Sequence, residues 1–181
     1  MSKEIKTIDA KLSKWILKQK IFFVATAPLT EKGHINCSPK GLDSFRILNE
    51  HSVAYQDLVG SGAETIAHIR ENKRIVIMFT AFDGPPKIVR LWGEGEVITF
   101  THPEYETIAS QFKPRRGVRS YIRIQLTRIA DSCGYSVPLY EFQGDRDVLD
   151  KWVDSKSDDG VKDYIRKNNA KSIDGLDALD V

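Results

Sequence analysis

The sequence has little cysteine: two in 181 residues, Cys37 and Cys133, far apart and in no C-x-x-C arrangement. A disulfide framework is thereby excluded, and free thiols in a reducing compartment are expected. No run approaches the roughly 18 apolar residues of a membrane helix, and the opening M-S-K-E-I-K-T holds no apolar secretory core. A cytoplasmic protein with no membrane partner is expected. An excess of one charge is also missing. Lys and Arg number 27 against 25 Asp and Glu, well mixed, for a net +2. Nucleic acid would call for a clustered basic face, so it is not expected as a partner. His34, His51, His68 and His102 stand singly, without metal-ligand spacing. There is no P-loop, no G-x-G-x-x-G, no G-x-S-x-G and no evident carboxylate pair. The chain thus shows no acid, base or nucleophile of its own. If it is an enzyme, a cofactor carries the chemistry.

What is present reads as short strands separated by turns. Ile8, Leu12, Trp15 and Ile16 recur at helical spacing and predict an amphipathic helix over 8–19. Strands are expected over 20–27, 34–38, 51–57, 75–82, 88–100 and 118–129. Pro39 is expected to end or bulge the second of them. Ser61 and Glu64 have the S-x-x-E spacing of a capping box for a helix ending near Asn72. Gly93 and Gly95 fall on the apolar face of the 88–100 strand, which suggests close approach of another backbone. Along 118–129, Val118, Ser120, Ile122, Ile124 and Leu126 alternate with Arg119, Tyr121, Arg123 and Gln125, giving one wet or interfacial face. A short helix is expected over 103–112 and C-terminal helices within 145–168. The polar tail beyond residue 170 is expected to be loosely held. Hairpin connections with helices only at intervals argue for a mainly β chain of β+α type, an antiparallel barrel with peripheral helices. One domain over 1–181 is expected, with its barrel at about 20–131.

Three groups of residues are candidates for chemistry. Lys40 and Arg46 flank the Gly60-Ser61-Gly62 turn, with Thr65 one helical turn on. Helix N-termini carry free N–H donors and partial positive charge, which suits a phosphate. The same residues could equally form a capped helix beside solvated cations. Arg115, Arg116 and Arg119 could clamp an anion or could form a solvated cluster. Trp92 could face a planar ring or sit in a core. Cys133 reads as a buried structural thiol.

Four motifs in order give a sharper reading. They are N-C-S-P-K-G-L-D-S-F-R (36–46), A-Y-Q-D-L-V-G-S-G-A-E-T-I-A-H-I-R-E-N (54–72), L-W-G-E-G-E-V (91–97) and S-C-G-Y-S-V-P-L-Y-E (132–141). With them the chain resembles the pyridoxamine 5'-phosphate oxidase-like family of FMN-binding split barrels, across about residues 11–156. The resemblance implies a six-stranded split barrel and a homodimer with flavin at the subunit interface. It implies Lys40, Ser61 and Thr65 at the FMN phosphate, with Arg46 a weaker match, and the ring against Tyr55, Gln56 and Asp57. Trp92, Arg116 and Arg119 would come from the partner subunit.

The oxidases themselves end in an R-L-x-P-type segment, where this chain reads D-A-L-D-V, and their phosphate motif has the form R-x-x-L-L-K. Oxidation of pyridoxamine phosphate is therefore expected to be weak or absent. The expected activity is a flavin-dependent oxidoreductase acting on an unassigned small molecule, with a nicotinamide as one electron donor to consider. The alternatives are a non-catalytic protein that binds or senses flavin, haem or a deazaflavin, and a dimer that has lost its cofactor.

Overall fold

The computed structural model describes residues 3–180. In chain order the elements are β1 (Lys3–Ile5), α1 (Ala10–Lys18), β2 (Phe22–Thr26), β3 (Asn36–Lys40), β4 (Phe45–Asn49), β5 (Ser52–Leu58) and α2 (Glu64–Asn72). There follow β6 (Arg74–Thr80), β7 (Ile88–Ile98), α3 (Tyr105–Ala109), β8 (Val118–Ser132), α4 (Val148–Asp154) and α5 (Asp158–Asn168).

All strand pairs are antiparallel, in the order β3-β2-β6-β7-β8-β5-β4, with β1 added on β8. The sheet curls back on itself. A flat sheet would hold β4 about 19 Å from β6, four spacings of about 4.8 Å. Instead the rings of Phe45 on β4 and Phe79 on β6 lie 5.0 Å apart, and Phe22 on β2 lies 5.2 Å from Phe45. The edges β3 and β4 meet only through the short 41–44 turn, which leaves the barrel split at that seam.

The sheet therefore has eight strands where the resemblance implies six. β1 is a three-residue strand that pairs with β8 beyond the point where β5 stops. β4, F-R-I-L-N, follows Pro39 so closely that the strand pattern is masked. Pro39 sits inside β3, opposite Phe23. It is tolerated there because β3 is an edge strand, where a missing N–H leaves no ladder bond unmade.

The core is built from both strand and helix positions. Leu12 and Ile16 of α1, and Ile66, Ala67 and Ile69 of α2, pack with Phe22, Tyr55, Phe79 and Leu91. Asp9 caps α1, accepting from Leu12 N at 2.7 Å. Tyr121 does not face water as the alternation of β8 suggests. With Ala54, Ile98, Ile108 and Phe112 it forms a second, smaller core under α3.

The glycines of β7 do mark a close approach. Its register shifts between Trp92 and Gly93, and a Cβ on Gly93 would collide with the carbonyl oxygen of Gln125. A Cβ on Gly95 would press on Ile69 Cδ1 at 2.9 Å.

The tail is not loosely held. Ala178 and Leu179 are buried in the main core, and Leu179 N donates to Asn169 O at 3.1 Å. Leu176 packs against the same core, whereas Ile173 stays exposed. Cys37 and Cys133 are both free thiols and both exposed, so Cys133 is not the buried thiol expected from its surroundings in sequence. No described helix is long and apolar enough to cross a membrane.

Candidate functional site

At the barrel seam lies a cavity of about 460 Å³. Its walls come from β3, the 41–44 turn, β5 with the turn after it, the start of α2, Arg119 of β8 and Leu149 of α4. The strand period of two places Asn36, Ser38 and Lys40 on one face of β3, all lining this cavity. Ser61 and Thr65 line it from the opposite side, and Gln56 and Arg119 also contribute to it.

The capping box expected at Ser61 and Glu64 does not form. α2 begins at Glu64 after Ala63, and no side chain caps it. Glu64 instead accepts from Ile173 N of the tail at 3.3 Å, while still lining the cavity. Among the described residues, the backbone N–H groups of Gly60, Ser61, Gly62 and the first turn of α2 have no hydrogen-bond acceptor. An uncapped helix start beside a lysine favours positive potential, which the Glu64 carboxylate in the same lining partly offsets.

A buried charge cluster forms the floor. The Asp57 side chain is fully buried and that of Arg119 is 5% exposed. Arg119 Nε donates to Asp57 Oδ2 at 2.7 Å, and its NH1 donates to Gly62 O at 2.8 Å. Lys40 Nζ lies 3.3 Å from Asp57 Oδ1 and remains 22% exposed. Burial opposes ionisation of Asp57, but Arg119 and then Lys40 outweigh it and hold the carboxyl below its usual range. With Asp57 ionised the three groups sum to a single positive charge. Lys40 is the member that faces the cavity.

The hydroxyls are ordered by a second network. Asn36 Nδ2 donates to Thr65 Oγ1 at 2.9 Å and to Thr26 Oγ1 at 3.3 Å, and Ser38 Oγ donates to Asn36 Oδ1 at 2.9 Å. Thr26 Oγ1 is 2.9 Å from Nδ1 of the buried His68, whose imidazole burial keeps from taking up a proton in its usual range. Asn36 and Ser38 were not singled out from the sequence. Their alternation with Lys40 was the available signal.

The remaining sequence candidates are dispersed. Tyr55 is wholly buried among Phe22, Phe45 and Phe79 rather than lining the cavity. Burial and the nearby Asp57 charge push its phenol well above the usual range. Arg46 lies outside the cavity. Its guanidinium grips Asp43 at 2.7 and 3.0 Å, and Nε donates to Gln111 O at 2.8 Å. Arg116 bridges Asp154 at 3.2 Å and Asp158 at 2.8 Å, tying the loop before β8 to α4 and α5. Trp92 is on β7, opposite Val76 and Arg128, and does not line this cavity. Of the arginine cluster, only Arg119 reaches the site.

A larger cavity of about 1150 Å³ adjoins the first, sharing Pro39, Lys40, Gly41, Leu42 and Leu149 with it. Leu42, at the junction, has φ +62°. A non-glycine residue in this left-handed region stores of order 1–3 kcal/mol of strain.

No protein-family model matches the sequence. The pyridoxamine 5'-phosphate oxidase family protein ustO of Aspergillus flavus is 37% identical over 190 aligned positions, covering 96% of this chain and 76% of ustO. The chain belongs to the pyridoxamine 5'-phosphate oxidase family. Solved structures agree on the fold of this family member. HupZ of Group A Streptococcus superposes with a TM-score of 0.56 at 23% identity, over 74% of this chain and 99% of HupZ. A putative pyridoxamine 5'-phosphate oxidase of Lactobacillus delbrueckii gives a TM-score of 0.53 at 11% identity, over 70% of this chain and 98% of its own.

Proposed function

We propose that this protein is a flavoprotein that binds FMN, with the cofactor phosphate in the cavity at the barrel seam. The observation that carries this reading is the convergence of Lys40, the hydroxyls of Ser38, Ser61 and Thr65, and the uncapped start of α2 on one cavity. That donor set fits a phosphate monoester: one cation, neutral hydroxyl donors and free backbone N–H groups. Membership of the pyridoxamine 5'-phosphate oxidase family supports the flavin.

Lys40 and Ser61 would hold the phosphate. Asn36 would fix Ser38 and Thr65 in place, and Arg119 would hold the Gly60–Gly62 turn through its bond to Gly62 O. Asp57 keeps both cations in place without reaching solvent. The bound flavin would supply reversible two-electron transfer, which no side chain here can supply. We assign the protein as an oxidoreductase for a small molecule. It would act as a homodimer, in which Trp92 and Arg116 can meet the cofactor only from the partner subunit. No His or Cys of the described chain lines either cavity, which favours flavin over haem.

The test is the visible spectrum of protein purified without added cofactor, with the released molecule identified by mass. A yellow protein releasing FMN is expected. Release of FAD or a deazaflavin would keep the site and change its ligand. A colourless protein that also fails to bind added FMN would overturn the reading.

A further inference from the structure

We infer that the larger cavity is a binding chamber for a planar, apolar aromatic small molecule. Phe82, Tyr140, Phe142 and Trp152 give it aromatic walls, and Val148 and Leu149 of α4 close one end. Four aromatic rings around one space favour a flat ligand that can stack on them. At about 1150 Å³ the chamber exceeds the cavity at the seam by more than twofold, so it has room for a bulky molecule.

Charge does not select the occupant. Lys18, Lys20, Lys40 and Arg146 stand against Asp83, Glu141 and Asp145 at the walls, leaving one positive charge in excess. Lys18 pairs with Asp83 at 3.1 Å, and Lys40, which also lines the seam cavity, lies 3.3 Å from Asp57. Lys20 Nζ stands 5.3 Å from the Phe142 ring centroid, as a cation already placed on an aromatic face. The hydroxyl donors Ser38, Ser61 and Thr65 gather in the adjoining cavity, not here, and Lys40 lines both. The chamber therefore discriminates by apolar surface, and a small phosphorylated polar substrate is a poor match to it.

One wall is a loop. Residues 133–147 contain no helix or strand. They are fastened by Tyr140 N donating to Phe82 O at 2.9 Å and by ring contact between the same residues at 5.3 Å. Tyr140 is 65% exposed and Phe142 50%, so much of their apolar surface is still in water. Covering that surface with a ligand removes it from solvent, at about 25 cal/mol per Å². The strained Leu42 stands where this chamber meets the seam cavity, so an occupant here would lie next to a group bound there. Calling that occupant a substrate rests on the flavin reading; its binding does not.

The test is titration of the full chain with menadione, a naphthoquinone, followed by tryptophan fluorescence. Trp152 is one of three tryptophans, and Trp15 and Trp92 do not line the chamber. Saturable quenching is expected. Trp152→Phe should remove most of the quench, and Phe142→Asp should weaken binding about tenfold or more. Phe142 is half-exposed, so the aspartate variant should melt with the wild type. Absence of saturable quenching overturns the proposal, as does quenching that neither variant changes. It is also overturned if light scattering shows that Phe142→Asp separates two copies of the chain while menadione leaves the wild type unquenched. In that case a second copy fills the chamber. If menadione binds but FMN does not, the flavin reading fails and the chamber stands. If FMN binds and menadione does not, the reverse holds.

Discussion

Asp57 and Arg119 form an ion pair closed at 2.7 Å, with 0% and 5% of their side chains exposed. It joins β5 to β8, and through Gly62 O it reaches the turn before α2. Removing one partner of such a pair leaves an uncompensated buried charge, at about 3–5 kcal/mol. Asp57→Ala should therefore lower Tm by roughly 6–20 °C for a chain of this size. A melt within a degree or two of wild type would show that the pair is not buried in solution.

The same pair sets an acid limit on stability. The folded-state pKa of Asp57 is depressed, because Arg119 and Lys40 outweigh the burial that opposes ionisation. Its contribution is fully present above the unfolded value of about 3.9 and is lost as pH falls below that towards the folded value. Wild type should lose stability steeply below about pH 4, and Asp57→Asn should lose less over the same window. Equal acid slopes in denaturant titrations at several pH values would refute this.

Lys40 and Arg46 should part company when each is replaced by alanine. Charge-assisted bonds to phosphate are worth about 1.5–3 kcal/mol, so Lys40→Ala should weaken FMN binding roughly tenfold to a hundredfold. Arg46 is held by Asp43 and Gln111 O outside the cavity, so Arg46→Ala should change FMN affinity little while lowering Tm. Fluorescence titration with FMN separates the two. A large affinity loss for Arg46→Ala would show that it reaches the cofactor in the assembled protein.

Gly93→Ala tests the bulge in β7. The added methyl would meet the Gln125 carbonyl, a backbone atom with little room to move. Destabilisation of about 1–3 kcal/mol is expected, as for overpacked cores. Unchanged urea unfolding would mean that β7 and β8 are further apart than described.

Much of the barrel was legible because half-buried strands alternate and buried ones run continuously. The ends of α2 illustrate both sides. The helix end expected near Asn72 is where it stops, with Lys73 following in a left-handed conformation at φ +62°. Its start was misread, because Ser61 and Glu64 have capping-box spacing but the tail claims Glu64 through Ile173 N. That contact spans more than a hundred residues and leaves no local trace. The same is true of the tail. Ala178 and Leu179 lie among polar neighbours, and only the fold shows that they are core. Lys40, Ser61 and Thr65 were legible as candidates for one cavity, and the edge strand β3 and the start of α2 do bring all three to its lining. The division of the arginines was not. Arg119 and Arg116 differ in role because one meets Asp57 and the other meets the acids of α4 and α5, and spacing carries no record of that.

Asn169 donates from Nδ2 to Gly60 O at 2.9 Å, across 109 positions of sequence. During synthesis the Gly60 turn therefore emerges long before the side chain that braces it. Domains are assembled as the chain is made, at about 5–20 residues per second. The barrel strands up to β8 can pair while the turn is still without its brace. That turn, part of the cavity wall, gains this brace only once residue 169 has left the ribosome. A nascent chain stalled earlier would carry a paired sheet and an unbraced turn at the seam cavity.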